Sequence, residues 1–252
     1  MRCWLAVLVT AVIVSGCGPP GSVSGELLTG NLEPGAGRKS VGVISALGDK
    51  FALQKVGITV FGNDYADIPI EAWKIDDLVA AKVGAHLSKR FEVRRITYPK
   101  DTFTAYEKPG GLFRDHKAEL RKIMQDITAS QKCDLYVLVM KGGSMVGNTN
   151  QSVSGLGILQ AGSGLFLPNV RIHALSTIRV FDGRTFEILA EKRGTMGQQT
   201  FMAVIQGPHR EVDMAWWPAS PQGAQNPKMK DAIVALLDQS LAMTLPELLP
   251  VN

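Results

Sequence analysis

Few residues in this sequence have the type and spacing that chemistry requires. The four histidines, His86, His116, His173 and His209, include no pair two or four residues apart, so metal-ligand spacing is absent. The acidic stretch from Asn63 to Asp77 carries Asp64, Asp67, Glu71, Asp76 and Asp77. It lacks the alternate oxygens and following glycine of a calcium loop, and reads as a solvated loop leading into a helix. Ser144, Ser152, Ser154 and Ser163 stand in no G-x-S-x-G frame. In Gly155-Leu-Gly157-Ile-Leu-Gln-Ala-Gly162 the third glycine comes too late for a dinucleotide loop, and Lys141 precedes the glycines where a phosphate loop needs it after them. Cys133 opens a very apolar segment and reads as a small core residue, because a catalytic thiol needs a histidine partner that no local signature supplies. Arg171, His173 and Arg179 alternate on one strand face, which reads as the wet side of a sheet or a modest anion site. The expectation is a protein without catalytic residues, metal or cofactor.

The N-terminus is more informative. Arg2 precedes an apolar run of 12 residues, 3–14. A membrane span needs roughly 20, so the run reads as the core of a signal peptide. It ends in Val14-Ser15-Gly16-Cys17, which resembles the lipobox of bacterial lipoproteins. The resemblance implies cleavage before Cys17 and acylation of its thiol, with the small residues giving the peptidase access to the backbone. Several acyl chains together anchor a protein firmly. Gly18 in place of an aspartate implies, by the sorting pattern of enteric lipoproteins, the outer membrane facing the periplasm. Cys3 leaves with the signal and Cys17 is acylated, so Cys133 is left alone and no intramolecular disulfide can form.

Composition agrees with a folded domain behind such an anchor. Hydrophobic residues are 45% and charged residues 20% of 252, ordinary for a globular chain. The net charge of +4 is spread along the sequence without a basic run, which excludes a nucleic-acid interface. Residues 18–39 hold six glycines and three prolines and read as a flexible tether spanning roughly 25–30 Å. The organisation expected is a signal peptide over 1–16, the acylated cysteine and tether over 17–39, and one domain over 40–252.

Within that domain, Val41 to Ala46 reads as a buried strand, and Val56, Ile58 and Val60 as a second that ends near Phe61. Ile75, Leu78, Val79, Val83 and Leu87 share one helical face, with Asp76 and Asp77 in the first turn and Lys89 and Arg90 in the last. Phe91 to Tyr98 reads as a strand, Asp115 to Ser130 as a helix, and Leu135 to Met140 as a central strand covered on both faces. Val170–Phe181 and Phe186–Glu191 read as a hairpin turning at Asp182-Gly183. Residues 196–206 read as an edge strand, and Asn226-Pro227 starts a C-terminal helix. The fold expected is mixed α/β: a single domain with a mixed, twisted sheet and about three helices.

This order, with its "F-x-V" and "DLYVLV" strands and Asp182-Gly-Arg-Thr-Phe-Glu-Ile-Leu-Ala at the hairpin, resembles the envelope lipoprotein domains related to CsgG, LpoB and the N-terminal domain of TolB. That resemblance implies a non-catalytic domain that assembles with, or regulates, an envelope machine. Two segments offer an interaction surface. One is the glycine-rich stretch 142–168, with Val153, Leu156, Ile158, Leu159, Leu165 and Phe166; the other is Trp216-Trp217. Each has a plainer reading, as a strand packed on its own sheet and as a staple closing the irregular segment onto the core. The function expected is a lipid-anchored binding or scaffold protein of the envelope, with the membrane and an envelope protein or a second copy as partners. The alternatives are an oligomeric secretion or pore component that inserts the glycine-rich loop, and an envelope hydrolase in which His173 or His116 meets a serine or carboxylate.

Overall fold

The computed structural model describes residues 38–57, 60–108, 114–161, 169–197 and 204–250. The signal segment, Cys17 and nearly all of the tether lie outside them. In chain order the elements are β1 (Ser40–Ala46), β2 (Lys50–Val56), β3 (Asp64–Pro69), α1 (Ile75–Leu87), β4 (Glu92–Arg95), α2 (Thr104–Glu107), α3 (His116–Thr128), β5 (Leu135–Lys141), β6 (Gly143–Met145), β7 (Ser152–Ser154), β8 (Leu156–Ala161), β9 (Asn169–Ala174), β10 (Ser176–Asp182), β11 (Ile188–Arg193), β12 (His209–Val212) and α4 (Pro227–Leu248).

The fold is mixed α/β, with its strands divided between two five-stranded sheets. The first runs β11-β10-β5-β1-β4 and the second β12-β9-β8-β2-β3, while β6 and β7 form a separate two-stranded ribbon. In the first sheet β4, β1 and β5 are parallel, and β10 and β11 complete it antiparallel. In the second only β2 and β8 are parallel.

β5 is central, as its continuous apolar run requires. Leu135, Val137 and Val139 face one core and Tyr136, Leu138 and Met140 the other. The first and larger core also takes α1, α4 and the inner face of the second sheet. α4 packs against β9 of the second sheet, β11 of the first, and α1. Serving both sheets demands an apolar stripe wider than a single contact would, and its buried residues run from Met229 through Ile233, Leu237 and Leu241 to Leu248. Asn226 Oδ1 caps this helix, accepting from Met229 N at 3.0 Å, with Pro227 at the first helical position. α3 closes the opposite face of the first sheet through Leu120 and Met124. Its cap is Asp115, which accepts from Lys117 N and Ala118 N.

Several expected elements change shape. The second strand lies earlier in the chain, at Lys50–Val56. The acidic stretch contains β3, in which Ala66 and Ile68 pack on the core while Tyr65 and Asp67 face outward. The strand expected over Val170–Phe181 is two strands, one in each sheet, broken at Leu175. Arg171 and His173 therefore stand on the second sheet and Arg179 on the first, so they share no face. On α1, Ala80 is buried and Leu78 is exposed. The edge strand expected at 196–206 is β12 instead, and residues 198–203 lie outside the described ones.

His173 occupies the outer face of the second sheet and is fully buried. Its Nδ1–H donates to Gly155 O at 3.1 Å, while Nε2 has no partner. Gly157 stands opposite in register, and a Cβ there would lie 2.8 Å from Nε2. Burial pushes the imidazole down to about 4, with His209 across the strand pair contributing. A group depressed in the folded state stabilises above its unfolded value of about 6.5 and loses that contribution as pH falls toward its folded value. Unfolding in urea should show wild type losing about 2 kcal/mol between pH 7 and pH 5. His173→Gln should be nearly flat over that interval, and an equal loss in the variant would contradict the assignment.

Candidate functional site

β1 and β5 end side by side, with Ala46 opposite Met140. Beyond these ends the chain leaves the first sheet for the second and for the ribbon, and a cleft of two lobes opens there. Ligand sites of α/β sheets favour this position, at the carboxyl ends of parallel strands. The first lobe, of about 570 Å³, is lined by Tyr65, Tyr106, His116, Lys141, Ser154 and Arg179 among others. The second, of about 390 Å³, is lined by residues including Asp49, Asp76, Arg95, Tyr98 and Lys100. Lys50, Glu107 and Lys141 line both.

Asp76, in the first turn of α1, holds the floor of the second lobe. Its carboxylate accepts from Ser45 Oγ at 2.7 Å, Leu47 N at 2.8 Å and Gly48 N at 3.2 Å, and so fixes the turn between β1 and β2. Burial pushes its pKa up against these three donors. Tyr98 donates to Ser45 O at 2.6 Å, and burial raises its hydroxyl pKa, with nearby Asp76 adding to the effect. In the first lobe Tyr65 donates to Asp67 Oδ1 at 2.6 Å. Burial and then that carboxylate push the phenol up to about 12.

Lys141 crosses between the lobes. Its stem lies over Gly155, where a Cβ would meet Cγ at 3.1 Å and Cδ at 3.2 Å, and its end passes Gly48, where a Cβ would meet Cε at 3.2 Å. Both glycines have positive φ, +59° and +82°, so the slot is open by conformation as well as by size. The ammonium ends 2.7 Å from Glu107 Oε2. Other charges around the cleft are also paired: Lys50 with Asp67 at 3.5 Å, Lys100 with Asp49 at 3.1 Å, and Arg179 with Glu191 at 2.6 Å. His116 meets the Tyr106 ring edge-on at 5.7 Å and, among the described residues, pairs with no carboxylate or serine. Among the described residues no cluster of His, Cys, Asp and Glu could hold a metal ion, and no helix is long and apolar enough to cross a membrane.

The residues expected to form an interaction surface are placed elsewhere. Leu156 and Ile158 are buried between the two sheets. Val153 and Leu159 are buried together where the β6–β7 ribbon folds back onto the outer face of the second sheet, with Val56, Val146, Leu175 and Ile205. Gln54 Nε2 donates to Ser152 O at 3.0 Å and ties the ribbon down. These four are core, not surface, because the glycine-rich stretch builds β6, β7 and β8 and buries its apolar side chains on its own sheet. Leu165 and Phe166 lie outside the described residues. Trp216 and Trp217 are half-buried against the main core, with Lys228 Nζ 3.9 Å above the Trp216 ring, as a staple would be. Cys133 is buried, and its burial raises the thiol pKa. The cleft residues Lys141, Glu107, Tyr106 and Arg179 form no sequence motif; Lys141 is marked by its place at the end of an apolar strand, and Arg179 by its alternation with Arg171 and His173, which the structure separates from it.

No family model matches the chain, and no curated protein matches it. Among solved structures, it is similar to a Xanthomonas campestris protein described as DUF330, at 7% identity and a TM-score of 0.32, covering 83% of this chain and 80% of that one. It is also similar to a hypothetical protein from Chlamydia trachomatis at 10% identity and a TM-score of 0.30, covering 81% of this chain and 98% of that one. Likenesses this slight assign neither fold family nor function.

The Asp76 clamp is directly testable. Removing its carboxylate strands two backbone N–H groups, so Asp76→Ala should lose about 2–3 kcal/mol in urea denaturation. Asp76→Asn, which keeps one acceptor oxygen, should lose about half as much.

Proposed function

We propose that this chain is a lipid-anchored protein of the bacterial envelope, acylated at Cys17, whose folded domain binds a ligand or partner in the two-lobed cleft without catalysis. The lipobox-like Val14-Ser15-Gly16-Cys17 and the glycine- and proline-rich tether support the anchor and an outer-membrane, periplasm-facing location. The observation that carries the binding reading is the Lys141–Glu107 pair at the meeting of the lobes. A preorganised cation is held there by an internal carboxylate, in a cleft of ligand size. The contacts of His116 and His173 favour binding over hydrolysis. One meets a tyrosine ring, and the other is buried outside both lobes. The β6–β7 ribbon buries its valines on the second sheet, which favours binding over membrane insertion of this segment.

Two experiments test the halves separately. Palmitate labelling in cells should depend wholly on Cys17, and Cys17→Ala should leave the chain unlabelled and outside the outer-membrane fraction. A photo-crosslinking residue at Tyr106, on the cleft wall, should capture one defined envelope partner or ligand. The same residue at Lys132, beside the start of β5, should not. Capture of only the chain itself from position 106 would favour an oligomer, and capture from 132 alone would move the working surface away from the cleft.

A further inference from the structure

The charges of the first lobe say what it would take. Three cations are paired there: Lys50 with Asp67, Lys141 with Glu107, and Arg179 with Glu191. The remaining capacity is positive or donating. Arg179 donates Nε to Glu191 and Nη1 to Met140 Sδ, and its Nη2 has no hydrogen-bond partner among the described residues. The Arg179 side chain is only 17% exposed as a whole and lines the lobe, so its open nitrogen is offered from a largely packed side chain. Among the described residues Lys108, which lines the same lobe, has no ion pair, and neither ring nitrogen of His116 holds a hydrogen bond. The carboxylates of the lobe, by contrast, are both engaged by cations.

The backbone that carries Glu107 is braced. Glu107 ends the four-residue helix α2; the carbonyl of Ala105 within it and that of Lys108 just beyond it accept from Arg114 at 2.8 and 2.6 Å. Arg114 is itself fixed by Glu119. The carboxylate thus reaches Lys141 from a braced turn on the cleft wall, while Lys141 lies in a slot between two glycines of positive φ and cannot follow it far. The bracing acts on the backbone, and the Glu107 carboxylate itself is paired with Lys141 alone among the described residues, so an incoming anion can take its place by rotation of that one side chain.

We propose that the first lobe is a binding site for a multivalent oxyanion, a ligand bearing phosphate or carboxylate groups, that displaces Glu107 from Lys141 and takes its second contact from Arg179. This rests on the reading of the cleft as the binding surface and names its ligand class. The phosphate could belong to a soluble molecule or to a phospholipid headgroup, and the test separates them.

The full lipoprotein in detergent micelles would be titrated calorimetrically with inorganic pyrophosphate, with citrate, and with dihexanoylphosphatidic acid, a phosphomonoester lipid, below its micellar concentration. One-to-one saturable binding is expected for at least one of these probes. Glu107→Gln should tighten it about fivefold or more, because the resident competitor is neutralised. Lys141→Met should weaken it at least about tenfold, and Arg179→Gln, which leaves the Lys141 slot intact, at least about threefold. Saturable binding of pyrophosphate or citrate supports a soluble oxyanion, and the same pattern with the short-chain lipid alone supports a headgroup. Absence of saturable binding to both wild type and Glu107→Gln overturns the proposal, as does binding indifferent to all three substitutions. If oxyanion binding fails while crosslinking from position 106 persists, the ligand class is wrong and the binding reading stands. If both fail, the cleft is not the working site.

Discussion

Three backbone hydrogen bonds close a ring on which the architecture depends. Gly142 N donates to Leu175 O at 2.9 Å, Leu175 N donates to Gly155 O at 2.8 Å, and Gly155 N donates to Gly142 O at 2.9 Å. Each of the three residues sits between two strands that go separate ways. β5 passes to β6 at Gly142, β7 to β8 at Gly155, and β9 to β10 at Leu175. The ring therefore joins the first sheet, the second sheet and the ribbon at one point, and satisfies the polar groups that strands leaving a sheet would otherwise strand. Its members have little freedom of type. A Cβ at Gly142 would come within 2.7 Å of Ser176 O, and Gly155 combines positive φ with the stem of Lys141 in the space a side chain would fill.

Sheets that diverge from a fixed point leave a space between them, and α4 fills most of it. The broad apolar face of this helix is the consequence of touching β9, β11 and α1 at once. At the other side of the ring the strands separate with only the short α2 and the ends of α1 and α3 at the opening, and that opening is the cleft. The geometry that splits the strand pair β9–β10 thus also creates the site. Lys141, Gly142, Gly143, Ser154 and Leu156, all within two residues of the ring, line the first lobe. His173 belongs to the same region, since its Nδ1–H donates to Gly155 O, a carbonyl that the ring already uses.

The sequence announces the parts of this structure whose determinants are local. β1 and β5 are apolar enough to be central, α3 and α4 carry their caps at Asp115 and Asn226, and Asp182 accepts from Arg184 N and Thr185 N at the expected hairpin turn. It conceals the parts decided by distant pairing. β3 reads as an acidic loop because Asp64 and Asp67 occupy its exposed positions, and only pairing with β2 shows Ala66 and Ile68 turned inward. The run from Val170 to Asp182 has no local signal for a break, because the break at Leu175 is imposed by Gly142 and Gly155. The glycine-rich stretch looks like a loop, yet its glycines serve crossings and its valines fill a small core. The site is the least legible part, since Glu107 and Lys141 are 34 residues apart and meet only after α3 and β5 are in place.

The pairing of Lys141 with Glu107 has a physical reason independent of any ligand. The two side chains are only 24% and 30% exposed, so each is partly removed from water and costs free energy if left without a counter-charge. A cleft that must accept an anion faces a choice between an open cation, which is costly in the empty state, and a neutralised one, which the ligand must compete for. Covering the cation internally stabilises the empty domain and lowers affinity by the strength of the internal pair. It also sharpens selectivity, because a monovalent anion merely replaces one carboxylate by another. A ligand with more than one anionic group can replace Glu107 and in addition use the open nitrogen of Arg179, so its gain exceeds what the displaced carboxylate took with it. On the oxyanion proposal, the empty state's electrostatics would discriminate by charge number through Lys141, the residue that directly precedes Gly142 of the hydrogen-bonded ring.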